Sequence, residues 1–527
     1  MTQPQELAHL FAQGKMSRRE FVGRLAALGL TAAVAPALLN PVAQAATPKP
    51  GGRLRLGLAG ASTTDSLDPG TLPDMMPQLI NRQLRNGLVE VDYKGDPLPE
   101  LAESWDASPD AATWTFKLRR GIEFHHGKTL DAEDVVFSIN YHRGKDSKSA
   151  AKGVVDPIKD IRTDGKYTVV FTLQGGNADF TYIMSDYHLT IVPAGTTDFE
   201  KGIGTGPYTL VSHEPGVRAL ARRNPNYWKA GRGHFDEVET IGINDVTART
   251  NALQTGQIDA MNRCERKTVR LLEKVPGLQV IKSNGTKHYT IPMMSTVAPY
   301  DNNDVRLALK YAIDRAQLVK TVLRGYGTIG NDHPIGQNQR FYAAQVPQRE
   351  YDPDKAKYHM RQAGLQGHTF KLHVSNAAFG GAVDAAVLYK EHASKAGIQI
   401  EVVQEPADGY WSNVWMKKPW TFSFWSGRPT ADWMFSIAYA KGANWNESFW
   451  SHERFNMLLK AARAELDNAK RHTLYVEMQR LVRDEGAVVI PMFAADLTGV
   501  SRKLRFENVA ADWELDGMRA PERWWFA

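Results

Sequence analysis

Gly121-Ile122-Glu123-Phe124-His125-His126-Gly127-Lys128-Thr129-Leu130, continued by Asp131-Ala132-Glu133-Asp134-Val135, joins a strand end, a turn and a helix start in one run. Upstream, Trp114-Thr115-Phe116-Lys117-Leu118-Arg119 alternates strictly, the period of a half-buried strand, and Gly121 ends it. Downstream, Asp131 is expected as the N-cap, with Asp134 at the third helical position and Leu130 facing Val135 as a staple. Val135, Val136 and Ile139 then form the apolar face of the helix. The run also imitates a phosphate-binding loop, through Gly127-Lys128-Thr129. Such a loop needs one residue fewer after its first glycine, so that successive backbone N–H groups wrap the phosphates. Here the position at that spacing is Ile122, and the Lys-Thr pair precedes the helix start, so the reading excludes nucleotide binding.

Outward from this run, Arg53 to Gly57 alternates as a strand, Ser62 to Pro73 is rich in turn residues, and Tyr167 to Leu173 follows an Asp164-Gly165 turn. Further on, Val305, Ala308, Leu309 and Ala312 recur at helical spacing, with Gly325 as a stop. Asp352-Pro353 supplies an N-cap and a proline at the first helical position, and Gly364 ends that helix. A strand from Thr369 to Val374, a helix near Val383 to Ala396 and a strand from Ile398 to Val403 give the α/β rhythm. Amphipathic helices are expected over Glu453 to Leu466 and Ala469 to Asp484.

The N-terminal 45 residues read as an export signal. Ser17-Arg18-Arg19-Glu20-Phe21-Val22 fits the twin-arginine pattern, and an apolar stretch from Leu25 to Leu39, broken by Pro36, leads to Ala43-Gln44-Ala45 as the cleavage site. The apolar stretch is shorter than the roughly 20 residues of a membrane-spanning helix. The mature chain is expected to start at Ala46, in the periplasm. Cys264 is the single cysteine, so no disulfide framework or thiolate cluster is available, and no cysteine follows the signal to carry a lipid.

A formal charge of +6 over 527 residues is mild, and lysine and arginine are scattered, which disfavours nucleic acid as a partner. The mature chain, about 480 residues, is too long for one core and is expected to divide into two or three domains. Adjacent His125-His126 lacks further ligands at metal spacing, so no metal is assigned. His452-Glu453 lacks the second histidine of a zinc hydrolase, and there is no Gly-x-Ser-x-Gly elbow. No catalytic residue and no cofactor is therefore assigned.

Four stretches together resemble the family 5 extracellular solute-binding proteins. The first is the Gly121 run with Ala132-Glu133-Asp134-Val135. The second is Gly204-Thr205-Gly206-Pro207-Tyr208 with Arg223-Asn224-Pro225-Asn226-Tyr227-Trp228. Val305-Arg306 through Ala312-Ile313-Asp314-Arg315 is similar to a third block, and Tyr351-Asp352-Pro353 with Lys355-Ala356 and Ala363-Gly364-Leu365 to a fourth. They stand in the family's order and cover nearly all of the mature chain. The resemblance implies an α/β, two-lobed periplasmic-binding-protein fold (type II, with an extra domain on the N-terminal lobe). Residues 46–89, 204–295 and 491–527 would form lobe I, 90–203 the extra domain, and 296–490 lobe II. It implies a monomeric receptor, not an enzyme, that closes on a peptide or small polar solute and delivers it to the permease of an ABC importer.

Tyr410, Trp411, Trp415, Trp420, Trp425, Trp433, Trp445 and Trp450 crowd one stretch. A receptor that engulfs a polar ligand needs flat walls and fixed polar groups, so Tyr410, Trp411, Trp425 and Trp445 are candidate wall residues; half of the crowd is expected in the core. In the dipeptide and oligopeptide receptors, a Trp-x-Gly-Asp segment pairs its aspartate with the ligand's α-ammonium. The matching segment here is Trp425-Ser426-Gly427-Arg428, and the family's asparagine near Met293 is also missing. Arg428 would repel an ammonium and grip a carboxylate or phosphate with its planar fork. Asp432 would either take over the ammonium or hold Arg428 in place. A salt bridge on the surface or between the lobes is the competing reading of Arg428. Peptides are the default ligand. The alternatives are an anionic opine, sugar phosphate or modified amino acid, a periplasmic enzyme on the same fold, and a sensor reporting to a membrane partner.

Overall fold

A computed structural model of the chain describes Glu20, residues 48–407 and residues 409–527. The expected signal and its cleavage site lie outside the described residues, apart from Glu20. No helix among the described residues is long and apolar enough to cross a membrane.

The quoted run folds as its residues dictate. Strand Thr113–Leu118 buries alternate side chains. Asp131 caps helix Ala132–Tyr141, and Asp134 returns its side chain to the cap backbone, closing a capping box. Lys128 spends its ammonium on Asp134 at 2.6 Å, which ties the turn to the helix start. His125 reaches across to the Gly206 carbonyl at 3.2 Å. Gly206 is itself pressed on the preceding helix, where a Cβ would meet the Leu84 carbonyl carbon at 2.4 Å. Burial lowers the His125 pKa to about 4, so the ring is neutral and serves as a strut between the first two sequence blocks.

Strand Thr113–Leu118 belongs to a four-stranded antiparallel sheet with Ala102–Ala107, Thr168–Leu173 and Ile158–Thr163. Its apolar face packs with Phe180, Ile139 and Leu130 into a core of its own. A second core gathers Leu54, Leu56, Tyr208, Val238 and Trp524 around strand Arg53–Leu58, which runs parallel to Glu237–Gly242 and to Ala260–Met261. The largest core lies between Tyr289 and Ala494. It contains the parallel pair Thr369–Val374 and Gln399–Gln404 and helices Pro353–Gln362, Ala382–Ser394, Glu453–Ala464 and Asn468–Asp484. The helical stretch around Val305 differs from expectation. It breaks into Asn303–Tyr311 and Arg315–Thr321, because the Asp314 side chain accepts from the Gln317 amide and starts a new helix before Gly325 is reached.

Two long antiparallel strands, Leu278–Pro292 and Val488–Ser501, run from one core into another. Leu278 and Leu497 pack in a small core beside strand Ala260–Met261, whereas Ile291 and Val489 are sealed in the largest core. These strands carry the connection between the two halves of the molecule. Their pairing is interrupted between Asn284 and His288 and again between Tyr289 and Ile291, which is where a paired ribbon bends most readily.

A buried ion cluster fastens the four-stranded-sheet body to the strand Arg53–Leu58 body. Lys229 reaches Glu90, Glu100 and Glu522 at 2.5, 3.0 and 3.0 Å. Arg519 clamps both Glu100 oxygens at 2.8 and 2.9 Å, and Arg523 takes Glu90 at 2.6 Å. Burial alone would raise the carboxylates, but Lys229 and Arg519 outweigh it and hold Glu522 near 2.

Candidate ligand-binding site

Strand Ser423–Trp425 pairs with the connecting strand Leu278–Pro292, Trp425 opposite His288 and Phe424 opposite Tyr289. The register therefore sets the Trp-x-Gly-Arg segment against the connecting strand itself. Gly427 follows with φ +83°, and a Cβ there would lie 1.9 Å from the Thr286 hydroxyl, so only glycine makes this turn.

Arg428 leaves the turn half-buried. Its guanidinium donates to the Gly427 carbonyl at 2.6 Å and lies over the Trp425 and Trp433 rings at 5.6 and 5.9 Å. Gln339 holds its backbone carbonyl at 3.0 Å. Among the described residues Arg428 forms no ion pair. Burial lowers its pKa, and the Tyr187 phenol and the Asp186 carboxylate offset this only in part. Asp186 is itself engaged by His188 at 2.7 Å. The competing reading, a salt bridge, thus has no carboxylate to complete it among these residues.

Asp432 neither holds Arg428 nor faces it as a partner. It takes Arg463 at 3.2 Å and the Ser436 hydroxyl at 3.5 Å. Thr430 caps helix Ala431–Ala438, and that helix carries Asp432 toward helix Glu453–Ala464 instead.

The aromatic crowd divides. Tyr410 is a core residue, 1% exposed, with its hydroxyl donated to the Phe422 carbonyl at 2.7 Å, and Trp420 and Trp450 are buried in the same core. Trp411 and Trp445 are exposed at 40% and 45%. Trp411 meets Trp415 and Phe424 edge-on at 5.8 and 5.7 Å, and Trp445 packs on Trp425 at 6.0 Å. Beneath them lies Glu447, not among the candidate residues because its partners are distant in the chain. It accepts from Thr290 at 2.7 Å, Trp415 at 2.7 Å and Trp425 at 3.2 Å. Burial raises the Glu447 pKa, against the pull of those donors. The carboxylate locks two indoles in place and so orients the wall. An acid embedded in the aromatic stretch, two residues after Trp445, is the one signal the sequence carried.

On the other side of the connecting strands, a cavity of about 720 Å³ opens between the two halves. Arg263, Glu265, Arg266 and Lys267 line it from the strand Arg53–Leu58 side, Lys287 and Tyr289 from the connecting strand Leu278–Pro292, and Arg324 and Asp384 from the far side. Lys287 is taken by Asp496 at 2.6 Å, and Arg263 by Asp74 and Glu514 at 2.6 and 2.8 Å. Arg266, Lys267 and Arg324 form no ion pair among the described residues, and the Arg266 Nε is buried without a partner. The volume suits a small ligand, and among the described residues the unpaired cations Arg266, Lys267 and Arg324 share it with the unpaired carboxylates Glu265 and Asp384. Tyr289, stacked on Phe379 at 3.6 Å, supplies a flat wall.

The sequence profile described as bacterial extracellular solute-binding proteins, family 5 Middle, matches residues 96–447. The chain is similar to the glutathione-binding protein GsiB of Pectobacterium atrosepticum, 28% identical over 440 residues, 80% of this chain and 85% of the relative. It is 27% identical to GsiB of Escherichia coli strain K12 over 466 residues, 85% of this chain and 90% of that one. Two solved structures share the fold. HbpA2 of Haemophilus parasuis superposes with a TM-score of 0.80 at 22% identity, over 90% of this chain and all of that one. The ABC transporter-associated periplasmic binding protein DppA of Helicobacter pylori, in complex with the peptide STSA, does so with a TM-score of 0.71 at 23% identity, over 91% and 98%. The chain belongs to the family 5 bacterial extracellular solute-binding proteins, the binding components of ABC importers, and has their two-lobed α/β fold.

Proposed function

We propose that this family 5 chain is an exported receptor for a peptide-like solute bearing an anionic group, which Arg428 grips as the two lobes close. The observation that carries this reading is the half-buried guanidinium of Arg428, on the hinge and without an ion pair, where the dipeptide receptors place an aspartate. Glutathione, the ligand in the names of the relatives, is a peptide with two carboxylates and one ammonium, and its chemistry suits such a cleft. Residues 46–89, 204–295 and 491–527 serve as lobe I, 90–203 as the extra domain and 296–490 as lobe II. The strands Leu278–Pro292 and Val488–Ser501 are the hinge. Trp425, Trp411 and Trp445 wall the ligand on the lobe II side.

In this reading the leader takes the chain through the twin-arginine machinery to the periplasm, where it works as a monomer and passes its solute to a membrane permease. It carries out no covalent step. Binding energy is spent on closing the lobes, because contacts made to both lobes exist only in the closed form.

The test is a thermal-shift screen of the ligand-stripped mature chain against glutathione, neutral and basic dipeptides, opines and sugar phosphates. Ligand at 100 times its dissociation constant adds about 2.7 kcal/mol to stability. A shift with ligands that carry an extra anionic group supports the reading. A shift confined to neutral or basic dipeptides removes Arg428 from the site.

A further inference from the structure

The four-stranded-sheet body meets its two neighbours in opposite ways. Toward strand Arg53–Leu58 it is fastened by the buried cluster in which Lys229, Arg519 and Arg523 hold Glu90 and Glu100. Toward the body of the largest core it makes three polar bridges among the described residues. Arg471, on helix Asn468–Asp484, clasps Asp179 at 2.6 Å, the two side chains 2% and 5% exposed. The Ala178 amide donates to the Arg463 carbonyl at 2.7 Å, and Arg340 donates to the Tyr182 hydroxyl at 3.0 Å. Gly176 permits the approach, since a Cβ there would lie 3.0 Å from the Ala464 Cβ.

Beside these bridges the two surfaces stand apart. A cavity of about 750 Å³ opens between residues 153–183 and helices Ala431–Ala438 and Glu453–Ala464, with Val154, Ile183, Trp433 and Ile437 on its walls. Bodies joined at points around an open space, without a large apolar interface, are free to move relative to one another. The charges at the bridge are committed. Asp432 and Arg463 are spent on each other at 3.2 Å, and neither Asp179 nor Arg471 forms another ion pair among the described residues. The second Asp179 oxygen is buried without a hydrogen-bond partner. Burial would lower the Arg471 pKa, but Asp179 outweighs it and raises it, so the guanidinium is charged where the surfaces meet.

The sheet body rides on the strand Arg53–Leu58 body, so a rotation at the interrupted pairing of Leu278–Pro292 with Val488–Ser501 carries Asp179 away from Arg471. We propose that Asp179 and Arg471 are positioning residues, a clasp remote from the ligand that engages when the lobes close and sets the share of closed receptor. The inference rests on the reading that the lobes open and close about these two strands. In the open form water solvates both charges; in the closed form each has the other as its counter-ion. A ligand that binds the closed form then loses affinity by the factor by which the closed share falls.

The test needs no ligand. Spin labels at Lys159→Cys and Lys460→Cys, both exposed and on opposite sides of the clasp, report the separation of the two bodies in the ligand-stripped mature chain; Cys264 is buried. Double electron–electron resonance is expected to resolve a closed and an open distance in the labelled chain with the clasp intact. Asp179→Ala should lower the closed-to-open ratio at least about tenfold, because it leaves Arg471 buried without its partner. Asp179→Asn, which keeps the shape, should act in the same direction and less strongly. Asp179→Ala combined with Arg471→Met should open the chain no further than the single changes, since one contact is lost once. Thermal melts confirm that each variant folds. A lowered melting temperature with unchanged distances would make the pair structural and overturn the proposal. A single distance with the clasp intact, or fully additive effects of the two changes, overturns it as well. All of these readouts come from ligand-free protein, so they stand whether or not Arg428 grips an anion.

Discussion

Replacing Arg428 with alanine separates binding from folding with unusual clarity. Among the described residues the side chain has one carbonyl and two ring faces as partners, and no ion pair. Two cation–π contacts at a partly exposed site contribute about 0.5–1 kcal/mol each, so stability should fall by about 1–2 kcal/mol. A hydrogen bond to a charged group contributes about 1.5–3 kcal/mol. Affinity for an anionic ligand should therefore drop by about 10- to 150-fold. Calorimetry with glutathione and a neutral dipeptide, on ligand-stripped wild type and variant, reads both effects when paired with a thermal melt. Arg428→Lys keeps the charge but not the planar fork and should recover part of the loss. Arg428→Asp should turn preference toward a free α-ammonium. If Arg428→Ala binds every wild-type ligand with unchanged affinity, the guanidinium does not touch ligand and the anionic reading fails.

Three further outcomes follow from the same geometry. Glu447→Ala strands Thr290 and two indole donors in a buried site, at about 1–3 kcal/mol for each unsatisfied group; a denaturant melt should show that loss, and Glu447→Gln a smaller one. Gly427→Ala forces a side chain into a left-handed backbone and onto Thr286. It should cost about 1–3 kcal/mol from the backbone alone, and should weaken ligand binding beyond that by turning Arg428 away, which calorimetry on the folded fraction will detect. Lys229→Met leaves three buried carboxylates short of a cation. Removing one partner of a buried pair costs about 3–5 kcal/mol, read as a lowered denaturation midpoint. The same cluster fixes a pH dependence. Its carboxylates titrate in the folded protein below their unfolded value of about 4.3, with Glu522 near 2. The stability they contribute is complete above the unfolded value and drains away as pH falls toward 2, so melting temperature should decline across that window. A melting temperature that stays flat there would show that the cluster is not charged as described.

Much of the fold was legible because its signals are local. An aspartate with a second acid three residues on, or an Asp-Pro pair, starts a helix wherever it stands, and Asp131 and Asp352 do so here. Alternation buried one face of Thr113–Leu118 as its pattern required. The break at Asp314 was also local, but helical spacing on both sides hid a cap that the backbone preferred. Position in a family block was enough to single out Arg428. What it lacked, a carboxylate partner, is a fact about space.

Asp432 shows the limit most directly. It stands four residues from Arg428 in sequence, yet the helix capped by Thr430 turns it to Arg463 and into a different cavity. Tyr410 and Trp411 are neighbours in the chain, but one is sealed in the core with its hydroxyl satisfied and the other is open to solvent. Glu447 acquires its task from Thr290, 157 residues away, and from two indoles brought over it by the strand register. The sequence by itself determined where helices and strands begin, which faces they bury, the family and the altered residue at the hinge, because each depends on near neighbours or on a short pattern. Only the tertiary structure decided which charges are paired and which are left over, because Coulomb attraction and desolvation act between atoms that folding brings together from distant parts of the chain.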